Sequence, residues 1–417
     1  MQKPGIGQRP CHRLLRVSLT HQPPTVSQAM SASASFTFST VPHIVSMPGA
    51  AAQLGQHVHA RFAQAKRALI VTDPGFLHTG LVEAPRRDLE HHGLTVLVYS
   101  AVVADPPEHV VLDAVKFARQ NDVDIVIGIG GGSSMDVAKL IAVLAGSEQR
   151  LSQIYGIGNV SGTRLALVQV PTTAGTGSEV TNIAIVTTGE TSKMGVVAPQ
   201  LYADLVVLDA ELTLGLPPLV TAATGIDAMV HAIEAYTSKH KKNPLSDMLA
   251  RQALSLLSAN LITVCERGAN LQARQAMLLG ACLAGQAFSN APVAAVHALA
   301  YPIGGIFHVP HGLSNALVLP HVLRFTMPAA LDHYAELAAL LAPRATGSQE
   351  ARAEALIAAM QQIAQATGIA TTLQQVGIVE ADLDRLADDA MKQTRLLGNN
   401  PRALSWNDAR AIYAAAL

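Results

Sequence analysis

Charge is scarce in this 417-residue chain. Asp, Glu, Lys and Arg make up 14% of it, and 29 basic residues nearly balance 30 acidic ones, for a formal net charge of −1. A nucleic-acid binder needs a basic surplus or stripe. A disordered chain needs high charge and few apolar residues, whereas 49% of this one is hydrophobic. Aromatics, at 4%, are too sparse for base-stacking platforms. Cys11, Cys265 and Cys282 are too few and too scattered for a disulfide framework or a thiolate zinc site. They suit a reducing, cytoplasmic compartment.

Between Gln275 and Leu323 formal charge is absent altogether. A membrane-spanning helix needs ~20 consecutive apolar residues. Here Ser289-Asn290, Pro292, His297, Tyr301-Pro302, His308, Pro310-His311 and Ser314-Asn315 break the run. The stretch reads as buried soluble helices enclosing a polar site, with no membrane partner. The same lack of charge around His297 predicts a substrate pocket lined by uncharged residues, which disfavours a dicarboxylate. Residues 1–34 carry Lys3, Arg9, Arg13 and Arg16, no acid and no apolar h-region. They read as an N-terminal extension outside the fold, either a disordered, transit-like tail or a stretch upstream of a true start at Met30.

After Phe36 apolar runs alternate with helical spacing. Arg67–Thr72, Leu94–Tyr99, Val123–Ile129, Leu165–Val170 and Leu205–Leu208 read as strands, and His109–Asn121 and a segment from Ser134 as helices. This alternation predicts βαβ units and a mostly parallel sheet. Thr181–Thr188 and Lys193–Ala198, separated by Gly189-Glu190, read as a hairpin appended to that sheet. After Leu216-Pro217-Pro218 Ala and Leu dominate and the period becomes helical. Residues 35–214 are therefore expected to form an α/β nucleotide-binding domain, Rossmann-like and mostly parallel, and residues 215–417 an all-helical one.

Two loops carry phosphate-type chemistry. Gly128-Ile129-Gly130-Gly131-Gly132-Ser133-Ser134-Met135-Asp136 follows a strand and opens a helix, where backbone N–H groups can receive a phosphate. Neither G-x-G-x-x-G nor a Walker lysine is present, and Ser133-x-x-Asp136 also fits a helix-capping box. Pro171-Thr172-Thr173-Ala174-Gly175-Thr176-Gly177-Ser178-Glu179 is rich in hydroxyls and glycine; alone it would pass for a polar turn. Two such loops at strand ends favour a dinucleotide crevice. Asp73, ending the first strand, can accept from ribose hydroxyls and repel a 2′-phosphate, favouring NAD, or can serve an Asp-Pro-Gly turn.

Asp227 and His231 stand four apart, on one face of a helix. His297 and His311 lie in apolar surroundings, with Pro302 and Gly304-Gly305 expected to interrupt the chain between them. A lone histidine on an apolar helix is commonly a core residue. A buried Asp calls for a partner or a metal. Together Asp227, His231, His297 and His311 offer three nitrogens and an oxygen to a divalent cation, with a position left for substrate. Spacing leaves His308 and His321 as competitors, and the donors do not choose among Fe(II), Zn(II), Co(II) and Mn(II).

The motifs GGGSSMDVAK (130–139), PTTAGTGSEVT (171–181), GIDAMVHAIEAY (225–236) and HALAYPIGGIFHVPHGLSNA (297–316) resemble those of the iron-containing (group III) alcohol dehydrogenases over about residues 36–417. The resemblance implies a dehydroquinate-synthase-like architecture with a cleft between an α/β domain and a helical metal domain. It implies Fe(II) on Asp227, His231, His297 and His311. It also implies NAD against Asp73, Gly131, Gly132, Ser133, Thr172, Thr173, Thr181 and Lys193; Asp136 and Ser178 stand in the same two motifs and are counted with them. Many members carry a histidine four residues after the third ligand, where this chain has Tyr301; transhydrogenase-like members are similar in having tyrosine there. Tyr301 either relays a proton or shapes the pocket.

The expected activity is hydride transfer between a small alcohol or diol and NAD, with the cation as Lewis acid toward the alcohol or aldehyde oxygen. A hydroxyacid–oxoacid transhydrogenase holding NAD tightly, or a dehydroquinate-synthase-like lyase, are the rivals. A binding protein that had abandoned catalysis would have lost a ligand. A homodimer or larger homo-oligomer is expected.

Overall fold

In the computed structural model, which describes Met1, residues 35–189 and residues 192–417, the strand-rich half condenses on one parallel sheet. Its strands are β1 (Ile44–Ser46), β2 (Arg67–Val71), β3 (Thr95–Tyr99), β4 (Ile125–Gly130), β6 (Ala166–Pro171) and β9 (Leu205–Leu208), in the order β1-β9-β6-β4-β2-β3. A second sheet combines β5 (Gly156–Ile157) with β7 (Ile183–Thr188) and β8 (Ser192–Val197). The extension expected at 1–34 lies, Met1 apart, outside the described residues, as does Glu190 of the expected hairpin turn.

Side chains alternate across the sheet, as the two-residue period of a strand requires. Leu69 and Val71 of β2 and Val126 of β4 enter one core. Ala68 and Ile70 of β2 and Ile125, Ile127 and Ile129 of β4 enter the other. Helices cover both faces: α1 (Leu54–His59), α2 (Pro74–His78), α3 (Glu83–His91), α4 (Glu108–Gln120), α5 (Gly132–Ala145) and α6 (Leu151–Ile154). Strands buried on both faces read as continuous apolar runs, which is why β4 and β6 stood out. The three-residue β1 has no room for a period and went unread. The hairpin β7–β8 is not hydrogen-bonded to the main sheet, contrary to the sequence reading; β8 pairs instead with β5.

The chain turns back on itself between β2 and β4, its topological switch point, where an open α/β sheet forms a ligand crevice. Asp73 and the glycine loop meet there. A Cβ on Gly130 would lie 3.6 Å from Asp73 Oδ2.

The helical half comprises α7 (Pro218–Thr237), α8 (Pro244–Glu266), α9 (Leu271–Asn290), α10 (Ala295–Phe307), α11 (His311–Leu341), α12 (Gln349–Ala366), α13 (Leu383–Ala390), α14 (Thr394–Leu397) and α15 (Trp406–Ala416). Their starts follow local chemistry. Asn243 and Asn270 accept the N–H of Ser246 and Ala273 at 2.9 and 3.0 Å, capping α8 and α9. Among the described residues α8 is long and apolar enough to cross a membrane, with a mean hydropathy of 1.3. Its Ala250, Ala253, Leu254, Leu257, Leu261 and Val264 nevertheless form one stripe buried against the rest of the helical core.

Pro302 does not interrupt the chain as expected. α10 runs through it and ends at Phe307, where His308 adopts left-handed backbone (φ 57°) and donates its N–H to Gly304 O at 3.1 Å. Pro310, which cannot continue a helix inward, then precedes α11. His297 and His311 thus lie on successive helices. Gly312 lets α11 approach α7, since a Cβ there would come 2.3 Å from Ala223 O.

Candidate active site

Asp227 and His231 lie on α7, His297 on α10 and His311 in the first turn of α11. Asp227 Oδ1 lies 3.8, 3.7 and 3.6 Å from Nε2 of His231, His297 and His311. Donor atoms of Asp227, His297 and His311 all fall within 4.8 Å of one another. The His231 ring stacks on His297 and on Phe288, at centroid distances of 4.8 and 4.3 Å. His308 is exposed and His321 lines a different cavity, so neither competes.

Burial by itself would raise the Asp227 carboxyl; His231, His311, His297 and the Asn315 amide outweigh it and hold the group below its usual range. Burial pushes His231 down to about 3 and His311 down to about 4. Both are neutral near pH 7, with lone pairs free to ligate. Burial also lowers His297, but Glu234 reverses it and leaves the imidazole raised. Glu234, on α7, accepts from His297 Nδ1 at 2.7 Å, so Nε2 faces Asp227.

These donors fit a divalent cation. A carboxylate that is 1% exposed among imidazoles needs positive charge. The partial positive charge on the Asn315 amide answers part of that need: Nδ2 donates to Asp227 Oδ1 at 2.6 Å and lies 3.3 Å from Nε2 of both His297 and His311. Buried Asn315 Oδ1 and His231 Nδ1 have no partner among the described residues. Asn315 and Glu234 were both missed in the sequence. Each stands one helical turn from a candidate ligand, at i+4 from His311 and i+3 from His231, the one signal that could have found them.

The nucleotide loops border the same cavity, of about 410 Å³, which also reaches His297, His311, Tyr301 and Phe288. Gly132, Ser133, Asp136, Ser178, Thr181 and Lys193 line it; Asp73, Gly131, Thr172 and Thr173 stand back from it. α5 is capped by no side chain, and its N-cap is Gly131. The capping box expected from Ser133 and Asp136 does not form. Ser133 Oγ accepts from Asp105 N, and Asp136 accepts from Ser178 Oγ at 2.5 Å and Ile185 N at 2.9 Å. Buried Lys139, unread in the sequence, donates to Ser178 Oγ, Thr181 Oγ1 and Ile183 O at 2.8, 3.1 and 2.7 Å. Burial pushes Lys139 down and Asp136 up, and their mutual charge opposes both. Asp136, Ser178 and Thr181 are thereby engaged in tying the hairpin to α5.

Asp73 Oδ1 accepts the Phe76 N–H at 2.9 Å as the cap of α2, while Thr172 donates its N–H to Gly130 O at 2.9 Å. Lys193 Nζ pairs with Asp105 at 2.6 Å and lies 5.8 Å from the centre of the Tyr301 ring. Burial pushes the Tyr301 phenol up to about 12. The expectation of an uncharged pocket fails: Asp105, Lys193, Lys241 and Arg395 line it beside Asp136 and Asp227. They come from segments remote in sequence from His297.

Residues 42–210 match the iron-containing alcohol dehydrogenase family, and residues 221–417 match the Fe-containing alcohol dehydrogenase family, C-terminal. The chain is 43% identical to long-chain-alcohol dehydrogenase 1 of Geobacillus thermodenitrificans, over 84% of this chain and 90% of that one. It is 35% identical to the NAD-dependent methanol dehydrogenase of Bacillus methanolicus, over 85% and 93% of the two chains. Among solved structures, a 1,3-propanediol oxidoreductase superposes with a TM-score of 0.88 at 35% identity, over 92% of this chain and 100% of that one. With both halves of the family matched and a carboxylate meeting three imidazoles beside two phosphate-type loops, the chain belongs to the iron-containing alcohol dehydrogenases.

Proposed function

We propose that this enzyme oxidises short primary alcohols or diols with NAD, and reduces the matching aldehydes, at a divalent cation held by Asp227, His231, His297 and His311. The observation that carries the reading is the approach of one buried carboxylate oxygen to three imidazole nitrogens inside the cavity that the nucleotide loops border. The family's iron fits this mixed oxygen–nitrogen set, as would Zn(II) or Mn(II). When bound, the cation supplies Lewis acidity to an alcohol or carbonyl oxygen, and NAD supplies the hydride acceptor.

The chain's own groups do the rest. His231 and His311 stay neutral because burial disfavours their charged forms. Glu234 fixes the tautomer of His297. The N-terminus of α5, left open by Gly131, would offer its uncapped N–H groups to a phosphate of NAD. On this reading Gly131 and Gly132 allow close approach of NAD, and Ser133, Asp136, Thr172, Thr173, Ser178, Thr181 and Lys193 supply the contacts around it. Asp73 Oδ2 remains to accept from ribose, which favours NAD over NADP. The division into domains 35–214 and 215–417 falls in the connection between β9 and α7 and makes the cavity a cleft between them. A cytoplasmic homo-oligomer completes the reading.

The test is an anaerobic assay of Fe(II)-loaded protein at 340 nm, with NAD and then NADP, against short alcohols and diols. NADH formation abolished by chelation, and Asp227→Ala losing metal and activity together, are expected. Activity in Asp227→Ala without bound metal would overturn the ligand set. Silence toward every alcohol despite bound metal would favour the transhydrogenase.

A further inference from the structure

The charges lining the cavity fall into two groups. Three acids already have partners: Asp105 pairs with Lys193 at 2.6 Å, Asp136 accepts from Ser178 and Ile185, and Asp227 faces the imidazoles. Two cations do not. Arg395 of α14 and Lys241 of the α7–α8 connection line the cavity, and neither side chain forms an ion pair or hydrogen bond among the described residues. Lys241 sits on left-handed backbone (φ 60°), its carbonyl accepting from Asn243 Nδ2 at 2.9 Å beside the cap of α8. The capping arrangement thus places that residue at the cavity.

The two cations belong to the helical wall that bears the imidazoles, with Phe288, Val293 and Asn399. The phosphate-type loops and Lys193 belong to the sheet-side wall. The helical wall therefore carries, on the exposed side chains of Arg395 and Lys241, positive charge that the nucleotide loops do not need, in the same cavity where the substrate oxygen must reach the ligand cluster. A neutral alcohol has no group for it. A guanidinium offers parallel N–H donors that match a carboxylate or sulfonate. With the three lining acids already engaged, the two cations unpaired among the described residues are the charges left to face an anionic end.

We propose that Arg395, assisted by Lys241, forms an anion subsite that selects short alcohols and aldehydes ending in a carboxylate or sulfonate. This rests on the dehydrogenase reading and names its substrate class. Oxidation of such an alcohol passes one hydride to NAD and one proton to water, giving aldehyde and NADH with the anionic end unchanged.

The test compares 3-hydroxypropanoate and 2-hydroxyethanesulfonate with propan-1-ol, in wild type, Arg395→Ala, Arg395→Lys and Lys241→Ala. The ratio of kcat/KM for anionic over neutral substrate is expected to fall at least about tenfold in Arg395→Ala. It falls less in Arg395→Lys and Lys241→Ala. The two anions tell carboxylate from sulfonate preference. Calorimetric titration with 3-hydroxypropanoate reads the subsite without turnover, and binding lost in Arg395→Ala supports it. A parallel fall for all substrates with a raised KM for NAD would assign Arg395 to the cofactor and overturn the proposal. So would a wild-type preference for propan-1-ol. Wild type that binds 3-hydroxypropanoate through Arg395 yet oxidises nothing would overturn the dehydrogenase reading and leave the subsite standing.

Discussion

Glu234 Oε2 lies 2.7 Å from His297 Nδ1, and its other oxygen accepts the Val296 N–H at 2.7 Å. One carboxylate on α7 thereby fixes both the start of α10 and the direction in which His297 presents its free nitrogen.

Replacing it tests that arrangement. Glu234→Gln keeps the shape but removes the charge that raises the imidazole. Metal affinity is expected to fall about 10- to 100-fold. Metal content after dialysis against graded chelator reads this, with the melting temperature of metal-free protein as control. Undiminished metal retention would reduce Glu234 to a helix-start role.

Gly312 sets the distance between α7 and α11. Gly312→Ala brings a methyl 2.3 Å from Ala223 O, so backbone must move and His311 with it. Helix propensity favours Ala by about 1 kcal/mol, but overpacking costs about 1–3 kcal/mol. The variant is expected to melt lower and to bind metal more weakly. A higher melting temperature would show that the helices separate without cost.

Glu179, 2% exposed, is pushed up to about 7 by burial, which its own backbone N–H and Lys139 offset only in part. Its folded pKa lies above the unfolded 4.5, so its contribution is fully present below pH 4.5 and lost as pH rises through 7. The loss amounts to at most about 3 kcal/mol. Glu179→Gln should therefore gain stability relative to wild type between pH 5 and 8, read as unfolding midpoints at several pH values. Parallel curves would rule this out.

Tyr301 contacts the site through its ring, 5.8 Å from that of His311, and its hydroxyl makes no hydrogen bond among the described residues. With the ring against His311 and the hydroxyl tied, among those residues, to no acceptor that would carry a proton onward, pocket shaping is the expected role. Tyr301→Phe should lower kcat less than about threefold, whereas removal of a general acid–base group costs about 10²- to 10⁴-fold. A large loss with an altered pH profile would restore the relay.

Much of the fold was legible because its signals are local. The runs of β2, β4, β6 and β9, alternating with helical spacing, announced a mostly parallel sheet, and the loops after β4 and β6 carried their glycines and hydroxyls in plain view. Asp227 and His231 declared themselves by helical spacing. His297 and His311 stood out as polar residues in a charge-free stretch, and that stretch misled about the pocket's charge and about Pro302, which α10 runs through.

The amino-acid order by itself thus determined most of the elements, the two loops and the candidate donors, since each depends on neighbours within a turn or a strand. The tertiary structure decided which donors meet. It excluded His308 and His321, committed Ser178, Thr181 and Asp136 to Lys139, and set Glu234 against His297 and Asn315 against Asp227. It also brought Asp105, Lys193, Lys241 and Arg395 to one cavity from four distant segments. Such convergence follows from the packing of helices against a sheet, which no local spacing encodes.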